Sequence, residues 1–134
     1  MPAGNIELAR QAIDAMNRRD LDWLIAHSAP DLELHARGVA GEPVLYKGVA
    51  GLRENLHDMG EIWESIEHFP EDVREAGDRV VAIVKRRLRG RGSGAEVEDR
   101  IGIVWEMRDG LAVQVWSYRD PDEALASVGL QSLG

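Results

Sequence analysis

The chain has 134 residues, 44% of them hydrophobic and 30% charged, a balance that fits one folded domain over residues 1–134 built on a single core. A formal net charge of −8 argues against general affinity for nucleic acid or an anionic membrane, so neither is expected as a partner. The absence of cysteine excludes disulfides and thiolate chemistry, and MPAGNIELARQ carries no apolar signal core, so a cytoplasmic location is expected.

Asn5 is placed to cap a first helix, in which Ile6, Ala9, Ile13 and Met16 recur at helical spacing and Leu8 and Ala12 widen the stripe. Asp20 caps a second, short helix carrying Leu21, Leu24 and Ile25, which is expected to stop at Pro30. DLELHA alternates like a strand, with Leu32, Leu34 and Ala36 on one face and Glu33 and His35 on the other. A loop with Gly38, Gly41 and Pro43 follows. From Gly48 to about Ser65, the series Leu52, Leu56, Met59, Trp63, Ile66 predicts a long amphipathic helix.

Beyond Pro70 the period changes to two, and four antiparallel strands are expected. A Gly77-Asp78 turn joins the first two, and Asp109-Gly110 joins the last two. DPDEALASVGL closes the chain as a helix, with Asp120 as cap and Pro121 at the first helical position. Helices segregated against an antiparallel sheet make the fold class α+β.

VKRRLRGRGSGAEVED groups five positive charges at residues 85–91, but no aromatic residue is interleaved for base stacking. GRGSG also lacks the pattern of a phosphate loop that opens a helix. The stretch reads as a β-hairpin whose arginines are mostly solvated and guard a strand edge. A turn centred on Arg91–Gly94 sets Leu88 opposite Val97, Arg86 opposite Asp99, Val84 opposite Ile101, Ala82 opposite Ile103 and Val80 opposite Trp105. Two apolar rows then face each other, interrupted by Arg86 and Asp99. That pair is either a rim salt bridge of little energetic weight or a polar pair at the mouth of a cavity.

The segments ARQAIDAMNRRDLDWL, APDLELHA, LYKGVAGLREN, VWEMRDGLAVQVWSY and RDPDEALASVGL together resemble SnoaL-like proteins of the nuclear-transport-factor-2-like superfamily. The resemblance implies a cone-shaped, curved antiparallel sheet wrapped by N-terminal helices, with an apolar pocket inside, a closing C-terminal helix and a frequent homodimer. It leaves the chemistry open, because this superfamily hosts several unrelated activities. Alignment with ketosteroid isomerase puts its tyrosine on Ala12, its base on Ala36 and its second carboxyl near Ile103, so that set is absent. Alignment with limonene epoxide hydrolase puts its triad on Val84, Arg86 and Ser117, also without a match. Its water-holding pair falls near Gly38 and Ala40. The comparison does place Arg86 and Ser117 on the pocket side, and Trp116 and Tyr118, beside Val81 and Ile83, on an outer face where a partner subunit would pack.

The candidate catalytic residues are therefore Arg86, Asp99 and His35, the last being the side chain best suited to titrate near neutral pH, although its alternation turns it away from the pocket. Trp23, Tyr46, Trp63, Trp105 and Ser117 are candidate ligand-binding residues. His27 reads as a hydrogen-bonded core residue, and His57 and His68 as surface residues. No set of His, Asp and Glu residues has convincing metal-ligand spacing, with His35, His57 and His68 on different elements, so neither a metal nor another cofactor is expected. Two classes of function follow. One is an enzyme performing proton transfer, cyclisation or hydration on a small apolar molecule; the other is a non-catalytic ligand-binding or dimerisation module.

Overall fold

A computed structural model describes residues 4–38 and 40–131. Helix α1 (Asn5–Arg18) buries Leu8, Ala9, Ala12, Ile13 and Ala15. Gly4 occupies the cap position and Asn5 the first helical one, so the expected Asn5 cap is displaced by one residue. Arg19 ends the helix in the left-handed region at φ 54°. Asp20 caps α2 (Leu21–Ala26) as expected, its carboxylate accepting from the Trp23 backbone N–H at 3.0 Å.

Helix α2 ends before Pro30, because the chain enters strand β1 (Ser28–Arg37) at once. The expected loop contains a further short strand, β2 (Pro43–Lys47), paired antiparallel to β1. Helix α3 (Gly48–Ile62) is three residues shorter than its stripe predicted. Trp63 and Ile66 instead belong to a long strand, β3 (Trp63–Ala76). Their spacing suits a helix, but it also suits a strand whose register slips between Trp63 and Ser65, as happens here. Pro70 sits inside β3 beside a second slip, between Pro70 and Asp72. An edge strand tolerates that proline, because one side of its backbone lacks a strand partner among the described residues.

Strands β4 (Arg79–Gly90), β5 (Glu96–Arg108) and β6 (Leu111–Tyr118) complete a six-stranded curved sheet in the order β2-β1-β6-β5-β4-β3. All neighbours run antiparallel except β1 and β6, which are parallel. Pairing of β4 with β5 has the register expected from the hairpin, including Arg86 opposite Asp99. Its turn closes through Gly90 and Ala95, and Arg91 docks on the end of α3, its Nε donating to the Gly60 carbonyl at 2.7 Å. The run's other charges are paired with acids across the hairpin, Arg89 with Glu96 at 2.7 Å and Arg87 with Glu98 at 3.4 Å.

The two sheet faces have separate cores. On the concave face Val80, Ala82, Val84, Ile101, Ile103 and Trp105 pack against the α1 stripe. On the convex face Val81 and Val104 pack under Ala124 and Leu125 of α4 (Pro121–Ser127), with Trp116 and Tyr118 partly buried beside them. Gly102 permits this, since a Cβ there would overlap the Ala124 methyl. Asp120 caps α4 through the Asp122 N–H, with Pro121 inside the first turn.

Candidate functional site

Concave sheet and helices α1, α2 and α3 enclose a cavity of about 890 Å³, a size that suits a small organic molecule. Its walls are largely apolar, with Leu32, Ile101, Ile103, Trp105 and Met107 from the sheet and Leu52 from α3 among them. Burying a ligand against such walls is favourable, and an unpaired charge among them would be costly.

Three of its polar groups stand in a row across three strands. His68 of β3 pairs with Arg86 of β4, which pairs with Asp99 of β5, and all three line the cavity. Arg86 donates to Asp99 through Nε at 2.9 Å and Nη2 at 2.6 Å, a two-pronged contact that fixes the plane of the guanidinium. The Arg86 side chain is only 18% exposed and that of Asp99 37%, so this is a partly desolvated pair at the cavity wall and not a surface ion pair. Engaging Nε and Nη2 leaves Nη1 as a donor for another group.

His68 is held by α1. Its backbone N–H donates to Asn17 Oδ1 at 2.7 Å, Asn17 Nδ2 donates back to its carbonyl at 2.8 Å, and its Nδ1 lies 3.0 Å from the same Oδ1. Burial, and secondarily the Arg86 charge, push the imidazole down to about 4, with Asp99 opposing weakly. The ring is thus neutral at pH 7. The expectation that His68 lies on the surface is corrected: it is half-buried and lines the cavity. Counting back from the Gly77-Asp78 turn without a slip would set Phe69 opposite Arg86; the slip between Pro70 and Asp72 brings in His68 instead. Sequence places His68 on the surface and gives Asn17 no role in the site, because no local pattern announces that slip or the contact of α1 with β3.

Of the candidate residues, Arg86, Asp99, Trp23, Tyr46, Trp63, Trp105 and Ser117 all line the cavity. Tyr46 donates its hydroxyl to Asp58 at 2.7 Å, and burial together with that carboxylate pushes it up to about 12. The Trp23 ring stacks on His27 at 3.8 Å between centroids, and His27 Nδ1 lies 2.8 Å from the Trp23 carbonyl. His35 is not brought to the others. It lies on the opposite face, its Nε2 2.7 Å from Gln114 Oε1 and its ring stacked on Trp116. The alternation of β1 had indicated this orientation. Among the described residues, no three His, Asp or Glu side chains come together as a metal site requires.

No curated protein matches the sequence significantly. Solved structures share the fold across nearly the whole chain. An NTF2-like protein from Burkholderia pseudomallei K96243 is 22% identical with a TM-score of 0.79, over 95% of this chain and 98% of its own. TerC, crystallised with polyporic acid, is 25% identical with a TM-score of 0.78, over 92% of this chain and 96% of its own. IdmH of Streptomyces antibioticus, a proposed polyketide cyclase, is 22% identical with a TM-score of 0.70, over 92% and 97%. The model of the SnoaL-like domain matches residues 9–115, most of the helical wrap and the sheet that bounds the cavity, and the chain belongs to this family.

Proposed function

We propose that the cavity binds a small apolar molecule through an acidic or developing anionic oxygen held by Arg86, and that the protein performs proton-transfer chemistry there, of an isomerising, cyclising or hydrating kind. The observation that carries this reading is the row His68, Arg86, Asp99 in a largely apolar cavity. A guanidinium fixed by a carboxylate is a pre-oriented oxyanion donor, and a neighbouring imidazole gives the site a group that exchanges a proton. Support also comes from TerC, whose crystals hold an organic acid.

The second reading, a binding module without catalysis, is favoured by one specific observation: an imidazole held near 4 is a weak base at neutral pH. Deuterium exchange separates the two. Wild-type protein is expected to accelerate exchange of the α-protons of 2-tetralone in D₂O, and Arg86→Met to lose the acceleration. Binding of 2-tetralone and of 2-naphthoate without any exchange favours the module. Absence of binding by either probe rejects the site. The homodimer is proposed to use the parts of Trp116 and Tyr118 that α4 leaves exposed, and light scattering on Trp116→Glu tests it, a mass unchanged from wild type counting against this face.

A further inference from the structure

The hydrogen bonds around Asn17 determine more than the position of His68. The amide cannot be turned over, because Oδ1 accepts the backbone N–H of His68 while Nδ2 donates to the backbone carbonyl of the same residue. Nδ1 of the ring therefore faces an oxygen, which has no proton to give, and must itself carry the hydrogen. In a neutral imidazole one nitrogen donates and the other accepts, so Nε2 holds the lone pair. Among the described residues no protein group hydrogen-bonds to Nε2, while the ring lines the cavity beside Arg86. Two neighbouring points on the wall thus have opposite preferences. Arg86 offers a cationic donor, and His68 offers an acceptor.

We propose that His68 is a specificity-determining residue of this cavity, selecting ligands that carry a hydroxyl or enol O–H next to the oxygen held by Arg86, with Asn17 as the positioning residue that fixes the ring's tautomer. The inference rests on the site proposed above and narrows its ligand class to hydroxylated or enolic acids and ketones. A ligand with an ether or a second carbonyl at that point would set acceptor against acceptor and leave both unpaired. A bound anion would also offset the Arg86 charge that helps to keep the ring neutral, so occupancy strengthens His68 as an acceptor of the ligand's proton. The charged groups facing the ring are Arg86 from β4 and Asp99 from β5, and Asn17 from α1 is the neutral contact.

Two measurements test it. Long-range ¹H–¹⁵N NMR on histidine-labelled protein at pH 7 is expected to show the His68 ring protonated at Nδ1, and Asn17→Ala to shift it toward the Nε2-protonated form. A wild-type ring protonated at Nε2 overturns the proposal without any ligand. Calorimetry with 2-naphthoate and its monohydroxy and monomethoxy derivatives is expected to show at least one hydroxy compound binding about tenfold or more tighter than its methoxy counterpart. That preference is expected to fall below about twofold in His68→Phe, whereas Arg86→Met weakens all the naphthoates. Naphthoates that need Arg86 but show no hydroxyl preference, or keep it in His68→Phe, overturn this inference and leave the proposed site standing. Failure of every naphthoate to bind wild-type protein rejects the site itself, and the inference with it.

Discussion

Replacing His68 by phenylalanine is expected to remove a large part of the protein's sensitivity to mild acid. In the folded chain the imidazole is held near 4 by burial and by Arg86, while the unfolded chain leaves it at its ordinary 6.5. Unfolded protein therefore binds a proton that the folded state resists. The contribution is complete above about pH 6.5, declines as the pH falls, and is lost by about pH 4. At about 1.4 kcal/mol per pH unit the gap corresponds to about 3 kcal/mol, a large share of the stability of a domain this size. Asp20, Glu71 and Glu96 are held below their usual range by the Trp23 N–H, Arg100 and Arg89 respectively, so their contributions begin to fade only as the pH falls through that range, and they are common to both proteins. Urea denaturation followed by tryptophan fluorescence at intervals from pH 7.5 to 4 measures the effect. Wild-type protein is expected to lose about 3 kcal/mol more than His68→Phe across that range, whichever is more stable at pH 7.5. Parallel curves for the two proteins would mean that His68 titrates normally in the folded chain and is not held down by burial and Arg86.

Other predictions concern the surroundings of the row. Arg86→Met leaves the Asp99 carboxylate partly desolvated and unpaired, and is expected to cost about 1–2 kcal/mol by urea denaturation, with Arg86→Met/Asp99→Leu recovering part of the loss; no recovery would show that the pair is worth more than its desolvation. Gly102→Val drives a side chain into the Ala124 methyl and is expected to destabilise the protein by about 1–3 kcal/mol, with increased binding of a hydrophobic dye as α4 is displaced from the sheet. Tyr46 is expected to remain protonated up to about pH 11, so wild type and Tyr46→Phe should show the same ultraviolet ionisation change below that pH. A tyrosinate signal lost from the variant at pH 10 contradicts the burial and Asp58 contact assigned to it.

The hairpin register was legible because its turn is short and rich in glycine, and because a single charged pair interrupts two apolar rows. Arg86 and Asp99 follow from counting alone. Asp20 and Asp120 were legible for a different reason, since a capping carboxylate acts within three residues of itself. What the sequence hid lies where register slips. Trp63 and Ile66 fit the stripe of α3 by spacing but belong to β3, and the slip beside Pro70 exchanges Phe69 for His68 at the cavity wall. Asn17 was hidden too, because its partner is 51 residues away and the bond depends on how α1 lies across β3. Strand β2 is held by pairing with β1, and PVLYK is too short to alternate convincingly alone.

A crystal structure of the protein with 2-naphthoate shows directly whether Arg86 receives an acidic oxygen inside the cavity. The ring system is expected within the cavity and a carboxylate oxygen within hydrogen-bond distance of the Arg86 guanidinium, with Asp99 still bound to its other edge. Arg37 and Arg119 also line the cavity. A carboxylate seated against either of them, with Arg86 and Asp99 untouched, would contradict that placement.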